Sequence, residues 1–217
     1  MHFEFLIEDI SGKNFLDILV PKIIDISIHS YRVISYKGIG SIPKNLKTSK
    51  DASKKALLNQ LPRLLAGYGQ TYQYNQSENV VIVVCDLDDK DQENFLLELN
   101  DVLKSCNPAP QASFCLAIEE IEAWLLGDFP AIKKAYPKAK DSVLANYKND
   151  SICGTWELMA DAIVVGGAKK LKQLGFHETG LQKSNWTIHI CPYMDVNKNK
   201  SPSFNKFKET IEGYCDR

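Results

Sequence analysis

The chain has 217 residues, which is enough for one large domain or for one domain plus a small appendage. Its composition, 44% hydrophobic and 24% charged, is typical of a globular protein. Its formal net charge of −1 gives no general positive field for nucleic acid, although a local basic patch or metal ions would still permit such binding. The six cysteines form no zinc-type pairs, no apolar run reaches the ~20 residues of a membrane helix, and the N-terminus has no cationic leader. We therefore expect a cytoplasmic protein with reduced thiols and no membrane partner.

The first half of the chain alternates apolar strands with amphipathic helices. Strands are predicted at 3–7, 32–36, 80–86 and 113–118. Helices are predicted after Ser11, at 51–67 and at 91–105, with Ser11 and Asp89 as caps and a loop at 37–50. The third strand is continuously apolar, which indicates burial on both faces. The pattern predicts an α/β fold with a mostly parallel sheet sandwiched by helices.

The second half of the chain has a different character. Short helical pieces separated by Pro, Gly and Asn are predicted at 129–136, 141–147, 156–164 and 168–174. An amphipathic segment, KFKETIEGY, closes the chain, and Ser201 is a possible cap for that helix. We therefore predict an α/β core over 1–127 and a C-terminal helical extension over 128–217 that packs on it.

Acidic residues follow three of the four predicted strands. Glu8 follows the first strand and Asp86 and Asp88 end the third, while Glu119 and Glu122 follow the fourth. In an open α/β sheet, ligands bind outside the carboxyl ends of the strands, so these acids are expected to converge. Gathered carboxylates repel one another unless a cation neutralises them, and Mg²⁺ prefers oxygen ligands. The sequence therefore predicts a site for Mg²⁺ (or Mn²⁺).

Each of these acids also has a simpler interpretation. An acidic loop after a strand is often only solvated, and acids in the first turn of a helix interact favourably with its dipole, which is the preferred interpretation for Glu120. Asp86 and Asp88 would point the same way if the backbone is extended, with Leu87 facing the core. Trp124 is expected to belong to the core.

Four segments resemble known proteins. They are EDISGKNFL at 8–16, DLDD at 86–89, IEEIEAWLL at 118–126 and MDVNKNKSPSF at 194–204. An acid after the first strand with a later Asp-x-Asp resembles the Toprim domain of topoisomerases, primases and overcoming-lysogenisation-defect nucleases. More narrowly, the four segments are similar to a bacterial family of unknown function, of the domain of unknown function 4276 type. That family is often encoded beside an ATPase.

The resemblance implies a chemistry for the acids. In Toprim domains such acids bind Mg²⁺ and assist phosphodiester cleavage or transfer, so it implies catalytic and metal-binding roles for Glu8, Asp86 and Asp88. Many Toprim domains have Gly directly after the first-strand Glu, whereas this chain has Asp9 there and reaches Gly12 three residues later. Glu8 and Asp9 are therefore alternatives for the first catalytic acid.

Three functions are compatible with these features. The first is a Mg²⁺-dependent nuclease that cleaves DNA or RNA, works with a co-encoded ATPase and serves in bacterial defence against phage. Lys198, Lys200 and Ser201 would contact the nucleic-acid backbone in it, although they form an ordinary solvated loop equally well. The second is a non-catalytic partner or regulatory subunit of an ATPase, with the acidic edge as a docking or cation site. Nucleotidyl transfer ranks last, because nothing resembles the zinc-binding or polymerase surroundings of primases.

Overall fold

A four-stranded parallel sheet forms the centre of the computed structural model, which describes residues 1–43, 56–151 and 154–216. The strands are β1 (His2–Ile7), β2 (Ser30–Ser35), β3 (Asn79–Asp86) and β4 (Ala112–Ala117). Their order across the sheet is β2-β1-β3-β4, and every neighbouring pair is parallel. Each strand lies within two residues of its predicted position, so the parallel sheet is confirmed.

Helices cover both faces of this sheet. In the described residues they are α1 (Ile10–Ile23), α2 (Leu57–Tyr72), α3 (Gln92–Lys104), α4 (Glu122–Leu126), α5 (Phe129–Ala135), α6 (Asp141–Leu144), α7 (Thr155–Ile163), α8 (Gly167–Leu174), α9 (Phe176–Ile190) and α10 (Pro202–Cys215). The loop predicted at 37–50 and the helix predicted at 51–67 extend into residues 44–55, which lie outside the described ranges. Over those ranges, no helix is long and apolar enough to cross a membrane.

Alternation along the strands creates two hydrophobic cores. Phe3 and Phe5 of β1 face a cluster shared with α1 and the C-terminal helices. Leu6, between Phe5 and Ile7 in the chain, faces the opposite cluster, which includes residues of α2 and α3. All but the last residue of β3 are buried, as expected for a parallel strand covered on both sides. The predicted sandwich of helices around the sheet is thus present.

The larger core joins the two predicted parts of the chain. Trp124 is fully buried, as expected, and its ring lies 4.9 Å from that of Phe207 and 5.4 Å from that of Phe15. Its indole N–H donates a hydrogen bond of 2.8 Å to the Ser203 hydroxyl. Residues before and after position 127 therefore belong to one continuous hydrophobic cluster.

Two helix caps differ from the predicted ones. The cap of α1 is Asp9, whose carboxylate accepts hydrogen bonds from the Gly12 N–H at 2.8 Å and from the Ser11 hydroxyl at 3.1 Å. The cap of α3 is Asp91, which accepts from the Asn94 N–H at 2.9 Å, so Asp89 is not that cap. In both helices the cap is the aspartate that lies three residues before an unpaired backbone N–H of the first turn, and not the predicted Ser11 or Asp89.

Candidate functional site

The acidic residues meet where the strand order reverses. The chain places β2 on one side of β1 and β3 on the other, so the carboxyl ends of β1 and β3 flank the switch point of the sheet. Ile7 lies beside Val84, which brings Glu8 and Asp86 to the same edge, and their carboxyl groups repel each other electrostatically. Asp88 also repels Glu8. The structure therefore brings to one edge of the sheet three of the five acids that the sequence predicts to converge.

Glu8 and Asp9 have different roles at the end of β1. Asp9 caps α1, so its carboxylate is committed to holding the first turn of that helix. Burial, together with the charges of Asp9 and Asp88, raises the pKa of Glu8 to about 7. The Oε2 atom of Glu8 is buried and has no hydrogen-bond partner among the described residues. Of the two alternatives, Glu8 is the acid whose carboxyl group is not already used by the fold.

Asp86 and Asp88 lie on backbone of different conformation. Asp86 ends β3, and burial and then the charge of Glu8 raise its pKa well above the usual range. Asp88 has a φ of 52°, so the extended geometry considered for this pair is not present, although Leu87 does pack into the core. The Asp88 carboxylate lies 2.7 Å from the Lys90 ammonium, and 45% of the side chain is exposed. Asp88 is thus the more accessible of the two aspartates.

Glu119 uses its carboxylate for hydrogen bonds to the backbone of another element. Its backbone has a φ of 66°, and its carbonyl accepts a hydrogen bond of 2.9 Å from the Asp88 N–H. Its carboxylate accepts from the N–H groups of Gly154 and Thr155, the latter at 2.7 Å, which satisfies the N-terminus of α7. Both carboxylate oxygens of Glu119 therefore hold a helix terminus, and binding a metal ion would require these hydrogen bonds to break. The metal-binding role of Glu119 stays a prediction.

Glu120 and Glu122 face the acidic edge together. The Lys183 ammonium lies 3.0 Å from Glu120 Oε1 and 3.3 Å from Glu122 Oε2. Burial, and then its neighbour Glu122, raises the pKa of Glu120 to about 7, and burial also raises that of Glu122. Glu122 therefore lies where the sequence predicts it, whereas the preferred helix-dipole interpretation of Glu120 did not foresee its contact with Lys183. The acids at this edge, called the acidic cluster below, are Glu8, Asp86, Asp88, Glu120 and Glu122.

Lys183 is the residue of this site that sequence reasoning missed. It comes from α9, a helix that the sequence did not predict, and only 14% of its side chain is exposed. Burial opposes its charge, but the carboxylates of Glu122, Glu120 and Asp86 outweigh that effect and raise its pKa. An ammonium group thus already lies among the acids.

The carboxylates of the cluster have the chemistry that a hard cation requires, but they are not already arranged around an ion site. Carboxylate oxygens are the ligands that Mg²⁺ prefers, and buried oxygens of Glu8, Glu120 and Glu122 lack hydrogen-bond partners among the described residues. Over the same residues, however, no three His, Cys, Asp or Glu side chains already form a metal-binding group. The carboxylates instead surround Lys183, so ion binding requires some of these side chains to reorient.

The three residues predicted to contact nucleic acid differ in accessibility. Ser201 is fully buried and caps α10, and its hydroxyl also donates to Asp150 at 2.9 Å, so it serves the fold and is not available for binding. Lys198 is 81% exposed and pairs with Asp195 at 2.9 Å. Lys198 and Lys200 line a cavity of about 560 Å³ together with Lys134. Contact of these lysines with nucleic acid remains a prediction.

Comparison with known proteins identifies one family. A family model described as "Domain of unknown function (DUF4276)" matches residues 7–212, which is most of the chain. That range includes every acid of the cluster and Lys183. Neither the curated proteins nor the solved structures include a match to the chain.

Proposed function

The chain belongs to the DUF4276 family, and we propose that it is a metal-dependent nuclease of Toprim type. One observation carries the proposal: Glu8 and Asp86 follow or end the two strands that flank the switch point of a parallel sheet, and both have raised pKa values. Burial and the charges of Asp9 and Asp88 raise the pKa of Glu8, whereas burial and the charge of Glu8 raise that of Asp86. Carboxyl groups whose pKa values are shifted by burial and by specific charged neighbours are concentrated at functional sites. A first-strand Glu beside an Asp-x-Asp also matches the arrangement that the Toprim resemblance implies.

The residues divide the chemistry among them. Glu8, Asp86 and Asp88 would hold the ion, and Glu120 and Glu122 extend the same acidic surface. A bound Mg²⁺ or Mn²⁺ supplies Lewis-acid activation of the phosphate and lowers the pKa of a bound water. Alternatively Glu8 would act as the base, since its Oε2 is buried and has no hydrogen-bond partner in the described residues.

The sheet edge favours a phosphodiester substrate over a neutral one. Lys183 and Lys90 lie among the carboxylates, so the site offers cations as well as metal ligands to a phosphate group. We therefore expect DNA or RNA as substrate, and a co-encoded ATPase as the partner that delivers it in defence against phage. The ATPase partnership rests on the family resemblance alone.

A second function is favoured by one observation. The carboxylates surround Lys183 and do not form a ready metal-binding group in the described part of the chain. A protein that uses this edge as a regulatory cation site, or to dock on an ATPase, would need no catalytic geometry. This non-catalytic role is the alternative against which the nuclease must be tested.

The test is cleavage of labelled DNA and RNA by the purified protein with Mg²⁺ or Mn²⁺, with and without a co-encoded ATPase. Glu8→Gln and Asp86→Asn are expected to abolish cleavage, and EDTA should do the same. Asp89→Asn is the matched control, because Asp89 is the exposed acid next to Asp88 and should leave cleavage unchanged. No cleavage under any of these conditions, or equal cleavage by Glu8→Gln, would overturn the nuclease in favour of the non-catalytic role.

A further inference from the structure

A cavity of about 490 Å³ opens directly beside the acidic cluster. Asp9, Glu120 and Lys183 form one part of its lining, so it adjoins the acidic edge on the side of the Glu120–Lys183 ion pair. Trp156 of α7 and Phe176 of α9 form another part. The volume lies within the roughly 300–1,000 Å³ that is typical of small-molecule sites. The cavity therefore joins a charged half to an aromatic half.

Phe176 is held in solvent although it is large and apolar. It is the first residue of α9, it follows Gly175 with a φ of 95°, and it is 98% exposed. No fold-stabilising burial accounts for its position, because an exposed aromatic ring contributes little to stability. The flat faces of this ring remain available to a ligand.

Trp156 offers a second aromatic face, with a cation above it. The Lys172 ammonium lies 5.4 Å from the centroid of the Trp156 ring and 3.1 Å from the Glu157 carboxylate. Lys172 also lines the cavity, and 59% of its side chain is exposed. The aromatic half of the cavity thus combines two ring systems with a positive charge suited to a phosphate.

We infer that this cavity binds an unstacked nucleobase of a single-stranded nucleic acid, next to the phosphate presented to the acidic cluster. The inference rests on the proposed nuclease function and specifies its substrate class. Proteins bind single strands by stacking bases on aromatic side chains, with cations along the backbone. Bases inside a duplex have both faces covered, so only single-stranded, flapped or frayed substrate can fill such a cavity.

A protein partner is the main competing occupant of this surface. Val165 and Leu174, at either end of the segment before Phe176, are 95% and 51% exposed and would suit one. The cavity nevertheless shares the Glu120–Lys183 ion pair with the acidic edge and also includes Lys172. Its continuity with a phosphate-handling edge favours a nucleotide over an apolar protein surface.

The first experiment isolates base binding from metal chemistry. Its probe is a short oligothymidylate with uncharged methylphosphonate linkages, titrated in EDTA while tryptophan fluorescence is recorded. Trp124 and Trp186 are fully buried, so quenching reports on Trp156. We expect saturable quenching, and Phe176→Ala should weaken binding by roughly 5- to 100-fold, which is the effect of losing one stacked base. Val165→Ala, the matched exposed control, should bind like the wild type.

The second experiment measures Mg²⁺-dependent cleavage of single-stranded and duplex substrates by the same variants. Preference for the single strand, reduced by Phe176→Ala and kept by Val165→Ala, supports the inference. Absence of quenching, or quenching unaffected by Phe176→Ala, overturns it even if cleavage persists. Sedimentation adds a further outcome: the wild type forms oligomers, and both Phe176→Ala and Val165→Ala dissociate them without changing probe binding. That result would assign the surface to a protein partner and would also overturn the inference. Quenching without cleavage leaves the base site standing and overturns only the nuclease.

Discussion

Two glutamates at the same edge of the sheet have opposite relationships to their surroundings. Glu119 is buried with both carboxylate oxygens accepting backbone N–H groups, so its charge is satisfied. Glu8 is also largely buried, but its Oε2 lacks a hydrogen-bond partner among the described residues and its pKa is raised to about 7. A satisfied buried charge stabilises a fold, whereas an unsatisfied one costs stability and points to function.

Glu8→Gln is therefore expected to stabilise the protein while it abolishes cleavage. In metal-free buffer at a pH of about 8, the variant lacks a carboxylate that burial and two neighbouring acids disfavour. We expect its free energy of unfolding to rise by about 1–2 kcal/mol. Urea denaturation measures the change, with Asp89→Asn as the control that should show none. A clear loss of stability in Glu8→Gln would mean that Glu8 has a structural role.

Glu119→Gln is expected to do the opposite. An amide oxygen can accept only part of what the carboxylate accepts from Gly154 and Thr155, and one N–H of the α7 terminus becomes unsatisfied. The free energy of unfolding should fall by about 1–3 kcal/mol. Cleavage by the folded variant, measured well below its thermal midpoint, should persist. Complete loss of cleavage with unchanged stability would return Glu119 to the metal site.

At the scale of elements, the sequence patterns predicted the sheet and most helices but missed α9. The strands have continuous or alternating apolar residues, and α10 has an amphipathic pattern with Ser201 as its cap. In contrast, α9 contains Gly180 in its interior with Thr179 and Ser184 nearby, all weak helix formers. Its stability comes from packing against α1 and α8, which no local pattern records.

The same limit applied to the site. The acids could be predicted because each follows a strand, and parallel strands end at one edge of the sheet. The partners of these acids could not be predicted. Glu119 accepts hydrogen bonds from the N-terminus of α7, and Glu120 pairs with Lys183, and both partners are distant in the sequence from the acids. Long-range pairing of this kind has no signature in a single sequence.

Lys183→Met tests what α9 contributes to the cluster. Loss of the ammonium leaves Glu120 and Glu122 buried without their cation, and breaking such a pair typically costs about 3–5 kcal/mol. We expect a lower thermal midpoint in EDTA and a larger gain on adding Mg²⁺ than in the wild type, because the ion replaces the lost charge. Lys169→Met, at an exposed position of α8, is the matched control. Equal midpoints for all three proteins would exclude Lys183 as the internal counter-ion.

At the scale of the whole molecule, the site and the core depend on both parts of the chain. The sheet supplies the acids, while the C-terminal helices supply Lys183 and the aromatic half of the adjoining cavity. These helices also share the cluster around Trp124 with the sheet and α1. The geometry of the site is therefore set by packing across residue 127, and neither part contains the complete set of residues.

The pH dependence of stability offers a test that involves the whole acidic cluster at once. Burial raises the pKa values of Glu8 and Glu120 to about 7, and those of Asp86 and Glu122 are raised as well. The folded protein therefore binds more protons than the unfolded chain at pH values between about 4.5 and 7. The metal-free protein should become more stable as the pH falls from about 8 to about 5, by about 1–3 kcal/mol.

Mg²⁺ should oppose this pH dependence of stability if the cluster binds it. Ion binding requires ionised carboxylates, so the rise in thermal midpoint on adding millimolar Mg²⁺ should be larger at a pH of about 8 than at about 5.5. Glu8→Gln should show both a smaller pH dependence and a smaller Mg²⁺ effect, whereas Asp89→Asn should behave like the wild type. The measurement is the thermal midpoint of each protein in EDTA and in Mg²⁺ at each of the two pH values. Stability that rises with pH in EDTA would contradict the raised pKa values, and a Mg²⁺ effect that Glu8→Gln retains in full would place the ion elsewhere.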